Sequence, residues 1–334
     1  MNRICKTKNV INIISCAAVG GKEEREGPLG DKFDFCDESD LFGQKSFELA
    51  EGEMGRIALN TALSKANLSH EDLNLLIAGD LQNQCVATSV GLSDFGVPFL
   101  GIYGACSTCT EALLILTSMM DSAENLILGA AVTTSHNSAA ERQFRTPLEY
   151  GGQRSPTAQW TSTAGGAFIL SRNSHGPKIT EYMAGKVIDG GDSDSTNMGG
   201  AMAFVAADSI ISYFEESGRR PSDFDFIVTG DLGKVGSAVL RDILSDRLPT
   251  AAHLHTDCGL ILYDSDKKDV HSGASGCGTS ASVLSSHFLP KLSDGTLRRI
   301  LFLSTGALMS PSSLLQGTNI YGIAPIINIE SEFC

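Results

Sequence analysis

Asp72-Leu73-Asn74-Leu75-Leu76-Ile77-Ala78-Gly79-Asp80-Leu81 returns 151 positions on as Asp223-Phe224-Asp225-Phe226-Ile227-Val228-Thr229-Gly230-Asp231-Leu232, with aspartates, apolar run, glycine and closing Asp-Leu in register. Two further pairs keep the order. Gly104-Ala105-Cys106-Ser107-Thr108 has its counterpart in Ser275-Gly276-Cys277-Gly278-Thr279-Ser280, and Leu126-Ile127-Leu128-Gly129-Ala130 in Leu301-Phe302-Leu303-Ser304-Thr305-Gly306. Two copies of roughly 150 to 170 residues describe a duplicated domain, because solenoid repeats run about 20 to 50 residues. The halves are expected at 1–172 and 173–334, joined by the polar stretch Ser171 to Gly176.

Composition narrows the class. At 334 residues, 42% hydrophobic and 19% charged, the chain has the balance of a globular protein with buried sheet. A net charge of −14 without a basic run argues against a nucleic-acid surface, since phosphate binding is carried by clustered Lys and Arg. Nine cysteines, an odd number, suit free thiols in a reducing compartment. Cys106 and Cys109 form a lone CxxC, but no second pair or spaced histidines complete a tetrahedral set, so no metal site is expected. Val10-Ile-Asn-Ile-Ile-Ser-Cys16 follows Arg3, Lys6 and Lys8 like a signal segment, yet its apolar run is too short and is broken by Asn12. It reads as a first buried strand. No run reaches the ~20 apolar residues of a membrane span.

Along the chain, Val10–Val19 reads as that strand, Ser46–Lys65 as an amphipathic helix and Leu73–Ala78 as a strand apolar on both faces. Cys106–Asp121 reads as a helix apolar on nearly every side, hence interior, and Asn125–Val132 and Ala164–Ser171 as further strands. Duplicated, this plan gives an α/β protein of five layers, α/β/α/β/α, with the most apolar helices of both halves sharing the centre.

At this point the chain resembles the thiolase and ketoacyl synthase superfamily, in which a cysteine opens the buried helix of the first half; Gly104-Ala105-Cys106-Ser107-Thr108 stands in that place. A thiol at a helix N-terminus is expected to lean toward the thiolate. The partners that the resemblance requires are missing. Gly230-Asp231-Leu232-Gly233 stands where the synthase III type has His-Gln-Ala-Asn, Gly278 replaces an Asn, and Ser304-Thr305-Gly306 replaces the thiolase Cys-x-Gly. An aspartate at 231 opposes a thiolate, and an acyl-transfer site without base and oxyanion donor lacks its largest rate terms. His271-Ser-Gly-Ala-Ser-Gly276 is similar to a thiolase His loop but is one residue shorter and lacks its Pro; a structural role is expected.

The densest run of functional side chains is Thr134-Ser-His136-Asn137 through Glu141-Arg142, Arg145, Glu149, Arg154 and Trp160. With Gly20-Gly21-Lys22-Glu23, Pro28-Leu29-Gly30 and Asp257-Cys258-Gly259-Leu260, it resembles the stage V sporulation protein AD family over essentially the whole chain. The resemblance implies a non-catalytic, thiolase-like protein that binds dipicolinic acid, free or calcium-chelated, for its movement into the developing endospore and its release in germination; the alternative reading is a ketoacyl synthase or thiolase-like condensing enzyme that uses Cys106. It also implies a homodimer, joined along a sheet edge near Gly79–Ala105, working peripherally at the forespore or spore inner membrane beside the membrane proteins of the stage V sporulation A operon. The expected ligand-binding set is Cys106, His136, Asn137, Arg142, Arg145, Asp231, Gly276 and Ser304. Guanidinium forks match planar carboxylates, with one or two of Arg142, Arg145 and Arg154 expected to pair with Glu141 or Glu149. No cofactor is expected, and calcium enters only with the ligand; oxygens of Asp231, Ser304 or Asn137 then complete its shell. Asp189-Gly-Gly-Asp192-Ser-Asp194 lacks EF-hand spacing and reads as a solvated loop.

Overall fold

The protein is described by a computed structural model over residues 3–144, 154–264 and 270–334. In the first half, β1 (Cys5–Gly20), α1 (Phe47–Lys65), β2 (Leu75–Gly79), β3 (Phe99–Gly101), α2 (Thr108–Ser122), β4 (Leu128–Ser135), α3 (Asn137–Phe144) and β5 (Ala164–Arg172) follow in order. The second half repeats the sequence with β6 (Lys178–Met183), α4 (Met198–Ser217), β7 (Phe226–Thr229), α5 (Gly233–Arg247), β8 (His255–Asp257), α6 (Cys277–Val283), β9 (Arg299–Leu303) and β10 (Ile326–Glu330). Ser46 caps α1, its side chain accepting from the Leu49 amide at 3.3 Å.

The strand orders are β3-β2-β4-β5-β1 and β8-β7-β9-β10-β6, each with its fourth-placed strand antiparallel to both neighbours and the preceding three parallel. The duplication read from the opening segments is thus a duplication of topology. The half-sheets meet edge to edge where β1 and β6 pair antiparallel, Cys5 opposite Tyr182 and Ile11 opposite Ile179. Between these points the ladder breaks, and Asp121 from the end of α2 accepts the Lys8 and Asn9 amides at 2.9 and 2.7 Å.

Strand alternation assigns the layers, since successive side chains point to opposite faces. Leu75 and Ile77 join a central cluster with Val228, Ile300 and Phe302, while Leu76 and Ala78 face an outer cluster with Met54 and Leu59 of α1. Ile227, Leu301 and Leu303 face the opposite outer cluster, formed with Met202, Val205 and Ile210 of α4. The central cluster also holds Leu113 and Leu116 of α2 and Ala281 and Val283 of α6. Five layers result, as the sequence implied. One detail differs: α2 is not apolar-buried all round, for Met119 is exposed and the helix seats one broad face. Beside the layers, Ile188–Asp189, Gly306–Leu308 and Tyr321–Ile323 form a small three-stranded sheet.

Both outer layers rely on glycine-to-glycine helix crossings. A Cβ on Gly91, which ends the short helix Val86–Gly91, would lie 2.2 Å from the Gly52 carbonyl of α1, and one on Gly236 of α5 2.4 Å from the Gly199 carbonyl of α4. Because backbone stands on both sides, neither crossing can relax by a rotamer change. Gly91→Ala and Gly236→Ala should each destabilise the chain by about 1–3 kcal/mol, the range for overpacking, read as a lowered midpoint in urea unfolding. Ala at the open turn residue Gly96 serves as the comparison, where only the positive φ of 65° opposes the change.

Candidate functional site: the Cys106–Asp231 centre

Cys106 does not begin the α-helix itself. It lies in a 3₁₀ turn, Ala105–Ser107, ahead of α2, and Ala105 adopts φ +53°, a strained conformation for a residue with a side chain. The turn is tied by the Gly104 amide donating to Thr108 Oγ1 at 3.2 Å. The Cys106 thiol is buried in a satellite apolar cluster with Leu81, Ala140 and Cys277, closed by Phe144 at the end of α3.

The thiol's polar partner is Asp231, at the end of β7 in the other half. The same carboxylate accepts the Gly276 amide at 2.9 Å, Ser275 Oγ at 3.1 Å and Thr305 Oγ1 at 3.3 Å. The Asp231 carbonyl accepts Gln159 Nε2 at 2.7 Å. Burial raises the Asp231 pKa to about 7 despite these donors. Burial, and then the facing carboxylate, hold the Cys106 thiol well above its ordinary value. The helix-terminus expectation of a thiolate is therefore corrected: a turn precedes the helix, and desolvation with Asp231 outweighs any dipole term.

Gly278 explains a missing catalytic group in steric terms. A Cβ there would stand 2.0 Å from the Ala164 carbonyl and 2.6 Å from Ser135 Oγ, so the start of β5 fills the space that an asparagine side chain would need. Gly276, at φ +101°, turns the chain so that its amide meets Asp231.

The other expected site residues scatter. Ser304 is buried behind Asp231, its amide donating to Thr110 Oγ1 at 2.9 Å and its hydroxyl accepting from the same group at 2.8 Å. His136 is buried against Phe47, donates from Nε2 to the Asp40 carbonyl at 2.8 Å, and is held neutral by a pKa lowered through burial. Asn137 ties α3 to the Thr163 hydroxyl and the Thr161 carbonyl. The Arg142 side chain, 59% exposed, pairs with Glu48 of α1 at 3.1 Å. Arg154, 22% exposed, pairs with Glu141 at 3.3 Å and lies 4.7 Å over the Trp160 ring. Trp160 and Thr161 pair with Ala274 and Ser275, so the segment that carries Arg154 runs beside the strand leading to Gly276, and Arg154 donates to the Gln159 carbonyl at 3.2 Å. Arg145 and Glu149 lie outside the described residues.

Sequence reading missed Thr305, Ser275, Gln159 and Cys277 as members of this centre. It also missed a second buried network, in which Asp80 accepts the Gln82 and Thr88 amides and the Thr88 hydroxyl while Glu51 accepts Gln82 Nε2 at 2.7 Å. The signal was available, for Asp80 is the repeat mate of Asp231. Cys106 and Cys109 are free thiols, and no group of three metal-ligating side chains occurs among the described residues. The Asp189–Asp194 loop is solvated, with Asp189, Asp192 and Asp194 closing local turns onto amides two residues ahead.

Fold and site together define a thiolase-like protein whose nucleophile position faces an aspartate. Among solved structures the chain is similar to 3-oxoacyl-[acyl-carrier-protein] synthase III from Aquifex aeolicus, at 15% identity and TM-score 0.59, covering 95% of this chain and 99% of that one. It is similar also to cerulenin-bound OleA from Xanthomonas campestris, at 16% identity and TM-score 0.61, covering 96% of this chain and 99% of that one. At that identity the likeness speaks for the fold alone. Residues 2–330 match the family model of stage V sporulation protein AD, and the Bacillus subtilis (strain 168) protein of that description is 42% identical over 316 residues, 94% of this chain and 92% of its own length. The chain belongs to the stage V sporulation protein AD family.

Two outcomes check the electrostatics. At pH 7.5, iodoacetamide followed by peptide mass spectrometry should label the exposed Cys5 and Cys334 and leave Cys106 unmodified in the folded chain. Asp231, Asp257 and Glu24, raised by burial to about 7, 6 and 7, contribute stability that is present below the unfolded carboxylate range near pH 4 and lost as pH rises through the folded values. Their contribution to the melting temperature should therefore fall between pH 5 and 7.5, and Asp231→Asn should flatten that slope.

Proposed function

We propose that this sporulation protein is a non-catalytic receptor for dipicolinic acid, taken as its calcium chelate at the Cys106–Asp231 centre and delivered for uptake into the developing endospore, with release in germination as the reverse passage. The observation that carries the reading is the buried Asp231 carboxylate facing the nucleophile position. A free pyridine dicarboxylate is repelled by such a group, whereas chelated calcium offers open sites for carboxylate oxygen. Arg154, beside Trp160, supplies a guanidinium for the ligand's carboxylate edge, and Phe144 is the side chain that gives way on entry. Catalysis is disfavoured by the same facts: the thiol is held protonated and Gly278 leaves no room for an oxyanion amide.

We infer from the family that the chain works beside membrane partners at the forespore or spore inner membrane, namely the other proteins of the stage V sporulation A operon; no described helix is long and apolar enough to cross a bilayer. It does so as a homodimer. Among the described residues β3 is an outermost strand paired on one side only, to β2, with Phe99 and Leu100 exposed, and a second copy can continue the ladder.

Titration calorimetry with dipicolinate, with and without equimolar calcium, tests the ligand. Binding should require calcium, and Asp231→Asn should weaken it at least about tenfold, the loss of one charge-assisted contact. Affinity should drop as pH falls below about 7, where Asp231 takes up its proton. Equal binding of the free dianion by chain and variant would overturn the reading. Incubation with labelled acetyl-CoA and malonyl-CoA should give no carbon–carbon bond formation. Light scattering should give twice the chain mass, and Leu100→Lys a monomer.

A further inference from the structure

The helix α3, whose last residue closes over Cys106, is fastened differently at its two ends. At its base the Asn137 amide donates to Thr163 Oγ1 at 3.1 Å, Asn137 Nδ2 donates to the Thr161 carbonyl at 3.0 Å, and Ala139 and Ala140 are buried. At its tip the contacts are polar and lie near solvent. Gln143 clasps the turn after β2 at two points, its Nε2 donating to the Leu81 carbonyl at 2.8 Å and its Oε1 accepting the Asn83 amide at 2.9 Å. Tyr103, 47% exposed, joins them: its hydroxyl accepts Gln143 Nε2 at 3.2 Å and shares its proton between the Leu81 carbonyl and Asn83 Oδ1, each at 3.3 Å. The clasp holds two walls of the ligand centre in place, for Phe144 follows Gln143 directly and Leu81 packs with Cys106, Ala140 and Cys277. The turn it grips is strained. Gln84 and Cys85, at φ 58° and 54°, are successive left-handed residues with side chains, a conformation that persists only where the surroundings enforce it.

We propose that α3 is a lid on the Cys106–Asp231 centre, hinged at Asn137, and that Gln143 is the positioning residue that latches it shut. The base is held by hydrogen bonds from buried backbone, whereas the tip has only the Gln143 clasp and the exposed Arg142–Glu48 pair, which contributes little; local opening therefore starts at the tip. With Phe144 packed on the Cys106 cluster, the closed lid occupies ground that a ligand must take. Closure then competes with binding, and the observed affinity is the intrinsic one reduced by the fraction of chains that stand open. The ligand that the lid admits is that of the receptor reading, on which this role rests.

The lid is tested first without ligand. The full chain and its Gln143→Ala variant are treated with methyl methanethiosulfonate at pH 8.5, and modified cysteines are read by peptide mass spectrometry with the exposed Cys5 and Cys334 as reference. Cys106 should be modified at least about tenfold faster in the variant, the effect of a closed state made less populated. Cys109 and Cys258, in the central cluster, should stay unmodified and the melting curve unchanged. Gln143→Glu, which sets a carboxylate against the Leu81 carbonyl, should behave as Gln143→Ala does. Modification of Cys106 at the wild-type rate in both variants, or of Cys109 and Cys258 along with it, overturns the lid. A second arm follows binding of the calcium chelate of dipicolinate by stopped flow. Association should be faster and the dissociation constant lower by the same factor in Gln143→Ala, with the dissociation rate unchanged. Weaker or unaltered binding by the variant overturns the competition between latch and ligand, and the proposal with it. Absence of binding by wild type and variant alike overturns the receptor reading alone, and the thiol arm then decides the lid by itself.

Discussion

Each half-sheet has two apolar faces but only one outer helical layer, α1 on the first and α4 with α5 on the second. The remaining faces can be dried only against a common filling, and α2 and α6 supply it, one from each copy. This shared layer is the constraint on which everything else rests. It fixes the halves against each other and brings the starts of α2 and α6 together, so that Cys106 and Cys277, repeat mates in sequence, share one small cluster. A site composed of both halves follows from the way the apolar area is covered.

Within that frame the repeats have diverged in how they use one residue. Asp80 closes the turn into the short helix of its own half, accepting the Gln82 and Thr88 amides. In the second half the helix-start amides of Leu232 and Gly233 go instead to Asp257 at the end of β8, at 2.8 and 3.0 Å. Asp231 is thereby released from capping its own helix and faces the Cys106 turn and Gly276. An aspartate on the edge strand thus bears on the chemistry at the centre.

The duplication, the layers and the place of the cysteine turn were legible because they are written in local signals: apolar runs of strand length, a glycine before an aspartate, small residues at a tight turn. The opposition of Asp231 to the thiol was legible by alignment of motifs. Its hydrogen-bonding company was not, since Thr305, Ser275 and Gln159 come from segments far apart in sequence and carry no periodicity. His136 and Arg142 look functional in a polar run, yet what they do depends on Asp40 and Glu48, nearly a hundred residues earlier. The thiol's ionisation illustrates the same limit. A helix terminus is visible in sequence, but the desolvation that overrides it belongs to the closed cluster of Leu81, Ala140 and Cys277.

The protonated state of Cys106 bears on chemical endurance. Oxidation of cysteine proceeds through the thiolate, and sulfinic and sulfonic products are in general not recoverable. A thiol whose proton is donated to a buried carboxylate, and whose access is closed by apolar side chains, is removed from that chemistry as well as from acyl transfer. In a protein of sporulation the arrangement that silences a nucleophile also protects it from ageing.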